Sequence, residues 1–223
     1  MEQFIGDEQV VSPLETSQPK ALRIIAHVIS AIFHPILIPV YVTYFLLFIH
    51  PLVFDGFPDL GKLQILATVF INYALLPAFT VFLAWRLKFA KSVFLRTQKE
   101  RLIPYALTMV FAFWCWHVFN NLDYSPPIFV TFLLGSFFAV ILGWFANIYF
   151  KISMHGLAIG GMLYFIISLS LTGEGSGGLY IAFALLIAGL VCTARFIVSD
   201  HKPFEIYAGL FAGIAAQWLA TVI

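Results

Sequence analysis

The sequence predicts an all-α, polytopic transmembrane helical bundle of about six to seven spans, preceded by an N-terminal interfacial helix. Three observations predict it. The 223 residues are 61% hydrophobic and only 10% charged, well away from the 45–50% apolar and about 25% charged usage of soluble domains. The apolar runs are continuous for about 20 residues, the length a helix needs to cross the hydrocarbon core. They do not alternate with the short period of barrel strands. Polar or turn-rich segments separate the runs at regular intervals.

Residues 1–19 read as a polar, acidic tail, and residues 20–223 as a single membrane-embedded helical domain. The tail lacks the basic-then-apolar pattern of a cleaved leader, so the first span is expected to stay as an anchor. Residues 20–33 are apolar but short, with Lys20, Arg23 and His27 near their start; they read as a helix in the membrane interface. His34-Pro35 breaks or kinks it. Spans are then predicted at 35–53, 63–86, 103–122, 127–149, 154–172, 178–197 and 204–222. Small residues recur four apart in Gly135-Ala139-Gly143, Gly156-Gly160 and Gly209-Gly213. That spacing lets helix backbones approach closely. No internal repeat is visible, which counts against the transporter folds built from repeated halves. The two cysteines, Cys115 and Cys192, lie inside apolar runs and read as small hydrophobes.

The net charge of +1 excludes nothing, but its distribution is informative. With loops assigned alternately to two faces, Lys20, Arg23, Arg86, Lys88, Lys91, Arg96, Lys99, Arg101, Lys151, Arg195 and Lys202 share one face. Only Lys62 falls on the other, with Asp55, Asp59, Asp123 and Glu174. The basic face is expected to be cytoplasmic. Arg86, Lys88 and Lys91 read as topology determinants that also meet anionic lipid.

Three polar groups fall on that basic face: Arg96 to Arg101, Lys151 to Gly156, and Arg195 to Glu205. Ionisable groups near membrane depth cost roughly 2.5–3.5 kcal/mol each on insertion scales, so they mark functional positions. Arg and Lys neutralise an anion, and Arg offers a planar fork of donors. Ser153 and His155 open a helix, where free N–H groups favour an anion. Pro203 suits a first helical turn, which puts Glu205 about one turn beyond His201 and within reach of it. A histidine nucleophile held by a carboxylate, with His155 as acid–base partner, divides the labour as phosphoryl chemistry requires.

Arg195-x5-His201-x3-Glu205 resembles the third signature of the type-2 phosphatidic acid phosphatase superfamily, S-R-x5-H-x3-D, with Thr193-Ala194 in place of the small-residue-plus-Ser lead-in and Glu in place of Asp. Ser153-Met154-His155 resembles the second signature, P-S-G-H, with Ile152 and Met154 at the Pro and Gly positions. The first signature, K-x6-R-P, is not met literally: Arg101 is followed by Leu102-Ile103-Pro104, and Phe94 stands where the Lys is expected. The resemblance covers roughly residues 86–222. It implies a metal-independent, cofactor-free phosphatase acting on a lipid phosphate monoester or diphosphate through a phosphohistidine. His201, His155 and Glu205 would be catalytic. Arg195, Arg101, Lys99, Arg96, Ser153 and Gly156 would bind phosphate, with Lys151 beside them.

The expected partners are a lipid phosphate and the surrounding membrane lipids, with no nucleic acid. The expected location is a bacterial inner membrane, with the site on the cytoplasmic face. An anion-binding transporter or channel, or a catalytically inactive lipid-binding relative, is the alternative. His34 precedes Pro35 on the basic face, a position from which it could line the site, and reads first as a helix-break residue; His117 reads as interfacial, and Asn147 as a helix–helix hydrogen-bonding residue.

Overall fold

Pro35 decides the shape of the N-terminal part. The computed structural model describes residues 18–93, 95, 97–172, 177–198 and 201–223; most of the expected tail lies outside them. Helix α1 (Lys20–Ile32) closes at Phe33, whose N–H bonds the Ile29 carbonyl at 2.9 Å. His34 is extended (φ −62°, ψ 138°), because a residue before proline is pushed out of the helical region. After a 3-10 turn at Pro35–Leu37 the chain re-enters a helix, α2 (Ile38–Tyr44), which ends in a π-helical turn at Phe45–Ile49. The expected interfacial helix and first span are therefore parts of one apolar stretch, Lys20–Ile49, long enough to cross a membrane. The stretch ends before position 53 because His50 is extended ahead of Pro51.

The remaining elements are α3 (Asp59–Phe70), a π turn at Ile71–Leu75, α4 (Leu76–Arg86), α5 (Gln98–Asn120), α6 (Pro127–Tyr149), α7 (Met154–Thr172), α8 (Gly177–Val198) and α9 (Pro203–Val222). Among the described residues there is no strand, and seven helical stretches are long and apolar enough to span a membrane. The π turn stands immediately before Pro77, where a proline ring would crowd the carbonyl of the preceding turn of a regular helix.

Helix α5 begins at Gln98, not near position 103 as the hydropathy suggested. Thr97 Oγ1 accepts from the Glu100 N–H at 3.4 Å, and the Glu100 carboxylate accepts from the Thr97 N–H at 3.1 Å. This reciprocal cap overrides the local polarity and draws the charged run into the first turn of a spanning helix.

The apolar core runs through the bundle from α2 and α3 to α8, with Leu46, Val69, Phe129, Leu133, Ile159 and Val191 almost fully buried. Helices α7 and α9 pack backbone to backbone. A Cβ on Gly156 would stand 2.6 Å from the Ile206 carbonyl, and one on Gly213 would collide with the Leu157 carbonyl. The small-residue spacing read from the sequence is thus used for close helix packing. Asn147, buried at the end of α6, donates to the Gln98 carbonyl at 3.0 Å, while the Gln98 amide donates to the Asn147 carbonyl at 3.1 Å. This pair ties the start of α5 to the end of α6.

Candidate active site

The starts of α5, α7 and α9 and the end of α8 share one end of the bundle, and they carry the charged motifs. The α7–α9 approach also registers two of those motifs against each other: the Ser153 N–H donates to the Glu205 carbonyl at 3.1 Å.

His201 precedes α9, whose first residue is Pro203. With Pro203 fixing the entrance to the helix, Glu205 folds back over the first turn. One of its carboxylate oxygens accepts from His201 Nδ1 at 2.9 Å and from the Lys202 N–H at 3.1 Å. A carboxylate only accepts, so Nδ1 carries the proton and Nε2 keeps its lone pair. The His201 side chain is 3% exposed. Burial holds its pKa below the usual 6.5. The Glu205 bond opposes that shift, and the positive charges of Arg101, Arg195 and Lys151 reinforce it. The imidazole is therefore neutral at pH 7.

His155, on the first turn of α7, is half-buried. Its Nε2 lies 3.0 Å from the Ser30 carbonyl of α1. The His34 ring stands edge-on to it, with centroids 5.7 Å apart and planes at 73°. Arg195, in the last turn of α8, acts electrostatically on His34, His155 and His201 alike. His34 is thus a site-lining residue that the sequence reading treated mainly as a helix break. The available signal was its place on the basic face beside Pro35.

Arg101 is buried, with Nε donating to the Leu95 carbonyl at 2.8 Å and Nη1 to the Ile152 carbonyl at 3.3 Å. It locks the segment before α5 to the segment before α7. Leu95 takes a left-handed backbone (φ 48°) to present that carbonyl, at a cost of roughly 1–2 kcal/mol.

Ser153 is fully buried and caps α7: its Oγ accepts from the Gly156 N–H at 3.3 Å. The Ser153 hydroxyl proton is left to donate elsewhere. The Gly156 N–H, expected to bind phosphate, is committed to this cap, and its missing side chain serves the contact with α9. Lys151 is half-buried and acts on His201. Lys99 is exposed on the first turn of α5. Arg96 and Phe94 lie outside the described residues.

Among the described residues no three His, Cys, Asp or Glu side chains gather in a metal-binding group. A cavity of about 610 Å³ opens at the opposite end of the bundle, between Pro58, Gln64, Thr68, Phe119 and Tyr124, away from this chemistry. The arrangement as a whole offers a neutral, oriented imidazole nitrogen, a second imidazole nearby, and three cations. Those are the parts needed to receive a phosphate dianion and transfer it. The chain matches no protein-family model, no curated protein and no solved structure at a significant level.

Proposed function

We propose that this chain is an integral-membrane phosphatase that hydrolyses a lipid phosphate monoester or diphosphate through a phosphohistidine on His201. The observation that carries the reading is the 2.9 Å bond from His201 Nδ1 to Glu205, made where Arg101, Arg195 and Lys151 all act on the same ring. A neutral histidine held by a carboxylate among three cations is suited to attack an anionic phosphorus.

In the first step His201 Nε2 attacks phosphorus, the bond to the lipid oxygen breaks, and His155 delivers a proton to that oxygen. In the second, water attacks the phosphohistidine, His155 takes the water's proton, and the P–N bond breaks to release phosphate. His155 ends each cycle in the state in which it began. Arg195, Arg101 and Lys151 stabilise the charge on the equatorial oxygens. The Ser153 hydroxyl adds a donor.

A lipid substrate is supported by the setting: the site lies at one end of a bundle of membrane-length helices. A headgroup reaches the cations there while its chains stay in the bilayer. The excess of Lys and Arg at that end supports a site on the cytoplasmic face, and a bacterial inner membrane is the setting we propose for it.

The test is release of inorganic phosphate from short-chain lipid phosphates in the presence of a chelator. Turnover is expected to be abolished in His201→Ala and to fall about 10²–10⁴-fold in His155→Ala, with inhibition of the parent protein by vanadate. Indifference to both substitutions would overturn the reading.

A further inference from the structure

Helix α1 ends where Pro35 forces His34 out of the helical region, and an ended helix leaves carbonyls for other groups to satisfy. Two of those carbonyls take side-chain donors from elsewhere in the fold. The Ile32 carbonyl accepts from the Tyr41 hydroxyl at 2.8 Å. The Ser30 carbonyl lies 3.0 Å from His155 Nε2 across 125 residues of chain. A carbonyl oxygen only accepts, so this bond requires the proton on Nε2 and leaves Nδ1 as the nitrogen able to exchange a proton. In a continuous helix the Ser30 carbonyl would be taken by the N–H four residues on, at position 34. His34 then packs its ring edge-on against His155 at 5.7 Å.

We propose that the His34–Pro35 helix break is a positioning device for His155. The break frees the Ser30 carbonyl to hold His155 in its Nε2–H tautomer, and the His34 ring fixes its plane. Nδ1 is then the atom that protonates the departing oxygen and later takes the proton of water. Through both steps Nε2–H stays on the carbonyl, so the ring cycles between imidazolium and neutral imidazole without turning over. The two site histidines thereby use opposite nitrogens: Nδ1–H on Glu205 for His201, and Nε2–H on Ser30 for His155. The catalytic consequence rests on the phosphatase reading; the structural device does not.

The experiment is ¹⁵N NMR of the full chain, histidine-labelled and held in lipid nanodiscs, with the His155 signals assigned by their loss in His155→Gln. The native protein at alkaline pH is expected to show a protonated Nε2 and a bare Nδ1 on His155. Pro35→Ala, which lets the helix continue and reclaim the Ser30 carbonyl, is expected to give mixed tautomers. Its kcat should fall at least about tenfold, since loss of the correct tautomer is a kcat defect, with KM nearly unchanged. His34→Ala is expected to lower kcat in the same way, and His34→Phe, which keeps a ring, to restore it.

A protonated Nδ1 on neutral His155 in the native protein at alkaline pH would overturn the proposal without recourse to any variant. So would an unaltered Nε2–H signal in Pro35→Ala, or a His34→Phe as impaired as His34→Ala. If the tautomers behave as expected while no phosphate ester turns over, the positioning device stands and the phosphatase reading fails.

Discussion

His201 Nδ1 and Glu205 Oε2 lie 2.9 Å apart, one helical turn from each other, with the same oxygen also receiving the Lys202 N–H. The carboxylate therefore does two jobs: it caps the start of α9 and fixes which nitrogen of His201 carries the proton. Replacing it separates the two. Glu205→Gln keeps the shape and the backbone contact but removes the charge, and kcat is expected to fall while KM holds. Steady-state kinetics on a short-chain lipid phosphate reads the split.

The same pair sets the pH dependence. In the proposed mechanism attack requires neutral His201, whose pKa is held below its usual 6.5 because burial outweighs the Glu205 bond. Activity is therefore expected to persist below pH 6.5 and to fall only as pH drops through that lowered value. Glu205 is the influence that raises the pKa, so Glu205→Gln should move the acid limb of kcat/KM to lower pH. A shift to higher pH would contradict this account of His201.

Arg101 and Arg195 should behave differently on removal. Arg101 is buried and bonds the Leu95 and Ile152 carbonyls. Arg101→Ala is expected to destabilise the fold by roughly 1–3 kcal/mol for each carbonyl left unsatisfied, and to abolish activity. Arg195, half-buried at the end of α8, acts on three histidines. Arg195→Ala is expected to cost activity with a much smaller change in Tm. Thermal unfolding in detergent beside turnover separates the two.

Gly213 allows the Leu157 backbone to touch α9. Gly213→Leu is expected to destabilise by about 1–3 kcal/mol through overpacking. It should also lower activity from a distance, because the α7–α9 contact sets the Ser153 N–H to Glu205 carbonyl bond at 3.1 Å. Full activity in a folded Gly213→Leu protein would show that this registration is dispensable.

Lys91 and Asp123 stand before and after α5, at opposite ends of a spanning helix. Single cysteines at the two positions, in a background lacking Cys115 and Cys192, are expected to label from opposite sides of the membrane. Lys91→Cys should be shielded in intact cells. Its labelling from outside would reverse the proposed orientation.

Much of this was legible in the chain. Spans are sums of local apolarity, so hydropathy placed all the main helices, and counting them brought Arg101, Ser153, His155, Arg195, His201 and Glu205 to one end. The Glu205–His201 contact was legible too, because it is an i, i+4 relation with Pro203 setting the turn. The Thr97–Glu100 cap was also written in the sequence, but a reading led by polarity placed the start of α5 too late.

What hydropathy and spacing could not supply are the relations between distant segments. Nothing local marks the Ser30 carbonyl as a partner of His155, because that contact depends on where α1 stops and which helix it stops against. Gly156 has the right place for an anion, yet the close packing of α9 and the Ser153 cap use its backbone first. His34 is read as a helix breaker until the fold lays it on a second histidine. The membrane-spanning bundle and the end that carries the charges follow from short-range composition, so the chain alone reveals them. How His155 is held depends on the packed helices, because a hydrogen bond to a backbone carbonyl across 125 residues has no counterpart in composition or spacing.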